Sequence, residues 1–69
     1  MNDLSATAGE TERETARRLE AKGLPTAAVD AKLIVAHVLG VSPSGLALER
    51  RRVLTTAEQE RVSVLAARR

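Results

Sequence analysis

The chain has no cysteine, tryptophan, tyrosine or phenylalanine, and its only histidine is His37. Each absence removes a class of function. Without thiols there is no disulfide scaffold and no thiolate metal site, and one imidazole cannot form the usual zinc constellation alone. Without aromatic rings there is no platform for stacking on nucleobases. The longest apolar run, Leu33 to Val38, is interrupted by His37 and falls far short of the roughly 20 residues that a membrane span requires. The start Met1-Asn2-Asp3 places no basic region ahead of an apolar stretch, so a secretory signal is not expected. The expectation is a soluble, cytoplasmic protein.

Within its 69 residues the chain must build one thin core from nine Leu, seven Val, one Ile, one Met and twelve Ala. A domain of this size buries only about 60% of the surface its unfolded chain exposes, so modest stability is expected. The net charge of +2 is unevenly placed. Residues 1–30 carry six acids and four bases, whereas residues 31–69 carry three acids and seven bases. Most of that excess lies in Arg50, Arg51 and Arg52 and in the terminal pair Arg68 and Arg69.

Residues 1–9 are small and mostly polar and are expected to fray. Residues 10–22 are rich in helix formers, with Glu14 four residues ahead of Arg18 in the favourable order for an ion pair. The apolar face of this first helix is thin: Ala8, Thr11, Thr15, Ala16 and Leu19 share it, and only Leu19 is large. Gly23 suits the left-handed residue that ends a helix. The next helix is predicted to take Thr26 as N-cap, run over 27–39 and close at Gly40. Projection at the helical period puts Val29, Leu33 and Ala36 in one apolar stripe and Ala31, Ile34 and Val38 in another, which predicts neighbours on both sides.

Ser42-Pro43 predicts a cap and first helical position for a short helix over 44–50 anchored by Leu46 and Leu48. Thr55 with Glu58, or Thr56 with Gln59, forms a capping box for a last helix. Val62, Leu65 and Ala66 would face inward. No segment alternates with a period of two and no hairpin turn is present, so the fold class read from the sequence is all-α, a small bundle of four to five helices. The domain boundaries expected are a frayed segment over 1–9 and a bundle over 10–69.

Few residues suggest chemistry. His37 could serve as an acid–base group beside Asp30, but no glycine-framed serine accompanies it. The plainer reading is a partly buried structural histidine bonded to the preceding turn or to Asp30. Asp30 itself reads as a first-turn carboxylate favoured by the helix dipole. Arg50, Arg51 and Arg52 could grip phosphate or an acidic partner, since each guanidinium is a planar donor fork; the alternative is a solvated turn. Arg68 and Arg69 either join them or simply suit a helix C-terminus. A helix-turn-helix is a weak alternative, because the N-terminus of the last helix presents Glu58 and Glu60 where DNA phosphates would be repelled.

The run Arg18-Leu19-Glu20-Ala21-Lys22-Gly23-Leu24-Pro25-Thr26, then Val29-Asp30-Ala31-Lys32-Leu33-Ile34-Val35-Ala36-His37-Val38-Leu39-Gly40-Val41-Ser42, then Leu54-Thr55 with Glu58 and finally Arg68-Arg69, resembles the N-terminal domain of the HemK/PrmC release-factor glutamine methyltransferases. The likeness runs over residues 12–69 with order and spacing intact. It implies a helical domain paired with a larger S-adenosylmethionine-dependent catalytic domain, which modifies the glutamine of the Gly-Gly-Gln loop in class I release factors. The helical domain is implied to help seat the release factor.

The family's glycine-rich cofactor loop and Asn-Pro-Pro-Tyr motif do not occur in these 69 residues. No catalytic, cofactor-binding or metal-binding role is therefore carried over to any residue. The expectation is an excised N-terminal domain without catalysis of its own, its partners being the release factor and the parent's catalytic domain. Arg50, Arg51, Arg52, Arg68 and Arg69 are the candidate partner-binding residues. The alternatives are a purely structural domain and, less favoured, a nucleic-acid-binding module.

Overall fold

The structure is a computed structural model, and it describes residues 6–69. Its elements in chain order are β1 (Ala6–Thr7), α1 (Ala8–Ala21), α2 (Ala27–Leu39), a 3-10 helix (Gly45–Glu49), β2 (Val53–Leu54) and α3 (Thr56–Ala67). Among the described residues the fold is mostly helical, with three α-helices and one 3-10 helix where a bundle of four to five helices was expected. It also has a two-stranded antiparallel ribbon, in which Ala6 pairs with Leu54 and Thr7 with Val53. Strands of two residues carry no readable alternation, and their partners lie far apart in sequence. The ribbon was invisible for that reason.

The expectation of fraying over 1–9 falls partly outside the described residues, at positions 1–5. For residues 6–9 it is corrected. Thr7 caps α1: its Oγ1 accepts from the Glu10 amide at 3.2 Å, and Glu10 Oε1 accepts from the Thr7 amide at 3.0 Å. These reciprocal bonds satisfy donors that a helix N-terminus leaves open. The next amides reach across the fold, Ala8 to the Arg52 carbonyl at 2.8 Å and Gly9 to the Arg50 carbonyl at 3.0 Å. α1 therefore starts two residues earlier than predicted, because a distant turn supplies its acceptors.

Both long helices end as their glycines require. At the end of α1, Gly23 (φ 83°) donates to the Glu20 carbonyl and Leu24 to the Leu19 carbonyl. At the end of α2, Gly40 (φ 72°) donates to His37 and Val41 to Ala36. This double bond pattern needs a left-handed residue, which costs glycine little. The bounds of α2 match the sequence reading. Its cap differs: Thr26 makes no side-chain bond to the backbone, and its hydroxyl donates to Asp30 Oδ2 at 3.1 Å.

The core joins Leu19 of α1, Ala31, Ile34 and Val35 of α2, Leu46 of the 3-10 helix, Leu54 of β2, and Val62 and Ala66 of α3. α1 packs chiefly on α2, its small residues Ala8, Gly9 and Thr15 buried beside Leu19. The thin apolar face of this helix allows close approach. The shortest dimension of the fold is 15 Å, which matches two packed helices, about 13–15 Å from their axial spacing and radii. Among the described residues there is no third layer.

The two-sided burial expected for α2 holds only in part: Ala36 of the Val29, Leu33 and Ala36 stripe is buried, but its two large residues are not. Ala31, Ile34, Val35, Val38 and Leu39 are buried, while Val29 is 58% and Leu33 42% exposed. The 3-10 helix starts at Gly45 with Ser44 as its N-cap and no side-chain cap bond, which corrects Ser42 as cap and Pro43 as first helical position; Ser42 Oγ instead accepts from the Gly45 amide at 3.0 Å. Two residues apart on a 3-10 helix, Leu46 and Leu48 point about 120° away from each other and cannot both face the core. Leu46 is accordingly buried and Leu48 is 88% exposed, which corrects its assignment as an anchor. For α3 the box is Thr55 with Glu58, with bonds of 2.9 and 3.1 Å, and Val62 and Ala66 face the core with Leu65 half-buried.

Candidate partner-binding surfaces

The five candidate arginines do not form one site. Arg50, Arg51 and Arg52 precede α3, and Arg68 and Arg69 follow it. The 12 residues of α3 separate the groups by about 18 Å at the helical rise. Within the first group the side chains also diverge. Arg52 lies between Glu49 at 3.7 Å and Glu58 at 3.3 Å, so its charge is used to tie the turn to the start of α3. Arg50 lies over Gly9 and lines a small cleft with Glu12, Lys32, Pro43, Leu46 and Ala47. Arg51 is exposed.

At the other end, Arg69 approaches Asp30 at 3.9 Å. Asp30 is half-buried and also accepts from Thr26, so its carboxylate links the start of α2 to the end of α3. The arginines of both groups of ion pairs are exposed to solvent, and pairs open to solvent contribute little stability each. Their effect is to fix which arginines remain turned outward. Arg68 is exposed.

His37 is exposed on α2, not partly buried as expected. The turn before it does not enclose it, because the two-layer fold leaves this side of α2 open. Asp30 lies about 10 Å away along the helix at the ordinary rise, too far for the acid–base pair considered from the sequence. Among the described residues no three His, Cys, Asp or Glu side chains are grouped to hold a metal ion. Among them also, no helix is long and apolar enough to cross a membrane.

Sequence reasoning missed two features. The first is a pair of side-chain ties between α1 and α3. Arg18, expected to pair with Glu14, donates to Ser63 Oγ at 3.3 Å, and Lys22 Nζ donates to the Ala66 carbonyl at 2.9 Å. A cation at the carbonyl end of a helix is electrostatically favoured, but a contact across 44 residues leaves no local signal. The second is a groove between α2 and α3, of about 380 Å³, formed by Leu33, Ile34, His37, Leu65, Arg68 and Arg69. Its signal was present as the Val29–Leu33 stripe, read as buried.

Fold and surfaces together define a small helical domain, with several ionic side chains linking its own elements and an apolar groove left open. The chain belongs to the family described as the PrmC N-terminal domain, which matches residues 10–69. It is an N-terminal domain of a methyltransferase family. Comparison with curated proteins and with solved structures gives no match.

Proposed function

We propose that this chain is the substrate-recognition and scaffold domain of a peptide chain release factor glutamine methyltransferase. In that role it has no catalytic residue of its own. It seats a class I release factor against a catalytic domain that binds S-adenosylmethionine and methylates the Gly-Gly-Gln glutamine, in the cytoplasm. The observation that supports this reading is the family match, which takes in every helix from residue 10 to residue 69.

Titration of the isotopically labelled domain with a class I release factor tests it. Weak, saturable shifts are expected, because a domain tethered to its enzyme needs little affinity of its own. An unperturbed spectrum at high micromolar release factor would remove the independent-binding version. The coding sequence after Arg69 gives a second check, in which a glycine-rich loop followed by Asn-Pro-Pro-Tyr is expected.

A purely structural role is the second reading, favoured by the use of Arg52 and Arg69 in ion pairs within the domain. Charge reversal of Arg51 and Arg68 in the full-length enzyme separates the two. A raised KM for release factor supports recognition, whereas an unchanged KM with lowered stability supports the structural role. Nucleic-acid binding is disfavoured by the separation of the two arginine groups, and a low-salt filter-binding assay tests it.

A further inference from the structure

We infer that the groove between α2 and α3 is a docking site for an acidic amphipathic helix of a protein partner. This rests on the recognition reading above and names the surface and the chemistry that carry it.

Two independent features of the groove agree on the occupant. Its floor is apolar, built from Leu33, Ile34 and Leu65, and Val29 extends it one helical turn along α2 while 58% exposed. Residues 29 and 33 are one turn apart on a helix face, so the strip matches the i, i+4 spacing of a partner helix. Among the described residues no element of this two-layer fold covers it.

Its rim is cationic. Arg68 and Arg69 close one end with His37 beside them, and Arg68 also borders the adjoining hollow with Arg61, Val64 and Leu65. The acids nearby are Glu60 in that hollow and Asp30, which Arg69 and Thr26 already engage. Positive charge around an apolar strip favours a partner with carboxylates flanking its apolar face, and selects against a basic one.

The test titrates the labelled 69-residue domain with two synthetic helical peptides. Both carry leucines at i, i+3, i+4 and i+7; one has glutamate and the other lysine at the flanking positions. The glutamate peptide is expected to shift Val29, Leu33, His37, Leu65 and Arg68, to bind more weakly as salt rises, and to bind at least about tenfold more tightly than the lysine peptide. Leu33→Ser and Arg68→Glu should each weaken it about tenfold. Both positions are exposed, so the variants are expected to fold, and circular dichroism checks this.

Equal binding of the two peptides, or shifts confined to another face, would overturn the inference. So would concentration-dependent shifts of the same residues without peptide, which would make a second copy the occupant. Protection of Leu33 and Leu65 in the full-length enzyme, with no peptide binding there, would assign the groove to the catalytic domain instead. Release-factor shifts away from the groove would sink this inference and keep the proposed function. Peptide binding without release-factor binding would do the reverse.

Discussion

The Gly9 amide donates to the Arg50 carbonyl at 3.0 Å, which sets the first turn of α1 directly on the arginine turn. A Cβ at position 9 would lie 3.4 Å from that carbonyl oxygen and 3.6 Å from Arg50 Nε. Alanine therefore fits in ordinary contact, and branching at Cβ would press further against Arg50.

Gly9→Ala is expected to change stability by less than about 1 kcal/mol, its contact being offset by better helix propensity. Gly9→Val should cost about 1–3 kcal/mol through overpacking. Urea unfolding of both variants checks this, and a Val variant as stable as the parent would contradict the close approach.

The two threonines before α3 should differ sharply. Thr55 makes both bonds of the capping box with Glu58, so Thr55→Ala is expected to cost about 1 kcal/mol. Thr56→Ala, at an exposed first helical position, should change stability by no more than about 0.5 kcal/mol. Equal losses in thermal melts would mean that the register of the cap is wrong.

Leu46 and Leu48, two residues apart, offer the plainest contrast in burial. Leu46→Ala removes a side chain at 2% exposure and should cost about 2–5 kcal/mol, a large share of the stability of a small domain. Leu48→Ala should fall within about 0.5 kcal/mol of the parent. Chemical denaturation of the pair suffices, and similar values would show that the 3-10 turn is misplaced.

Acid should loosen the start of α1. The Thr7 amide, and after it the Thr7 hydroxyl, hold the Glu10 carboxyl below its ordinary value of 4.5. A carboxyl lowered in the folded state stabilises the fold fully above the unfolded value and loses that contribution as pH falls through the folded value. The loss therefore begins below about pH 4.5. NMR titration should place the Glu10 midpoint below 4.5, Thr7→Val should raise it, and Glu10→Gln should remove this part of the acid sensitivity. A midpoint at or above 4.5 would refute the capping arrangement at Thr7.

Legibility from the sequence followed the range of each interaction. Gly40 and the bounds of α2 were readable because a left-handed helix end is a local property of the backbone. The Thr55–Glu58 box was readable for the same reason, though only as one of two registers, the other being Thr56 with Gln59. The matching Thr7–Glu10 box carried the same local signal, but small residues without a visible partner argued for fraying. What was missing there was the turn at Arg50 to Arg52, more than 40 residues away in sequence.

By itself the sequence determined the three α-helices, the bounds of α2 and the family, since periodicity, glycine stops and motif order are written along the chain. It also supplied the apolar residues of the groove and the arginines at its rim. Only the tertiary structure decided which of these reach solvent. A fold two helices thick can cover one face of α2, so Val35 and Leu39 went inward and Val29 and Leu33 outward. The same packing set the arginines at opposite ends of α3 and gave Arg52 and Arg69 to carboxylates of the domain itself. Side-chain type is fixed residue by residue, but exposure depends on what lies opposite, and that is a property of the whole fold.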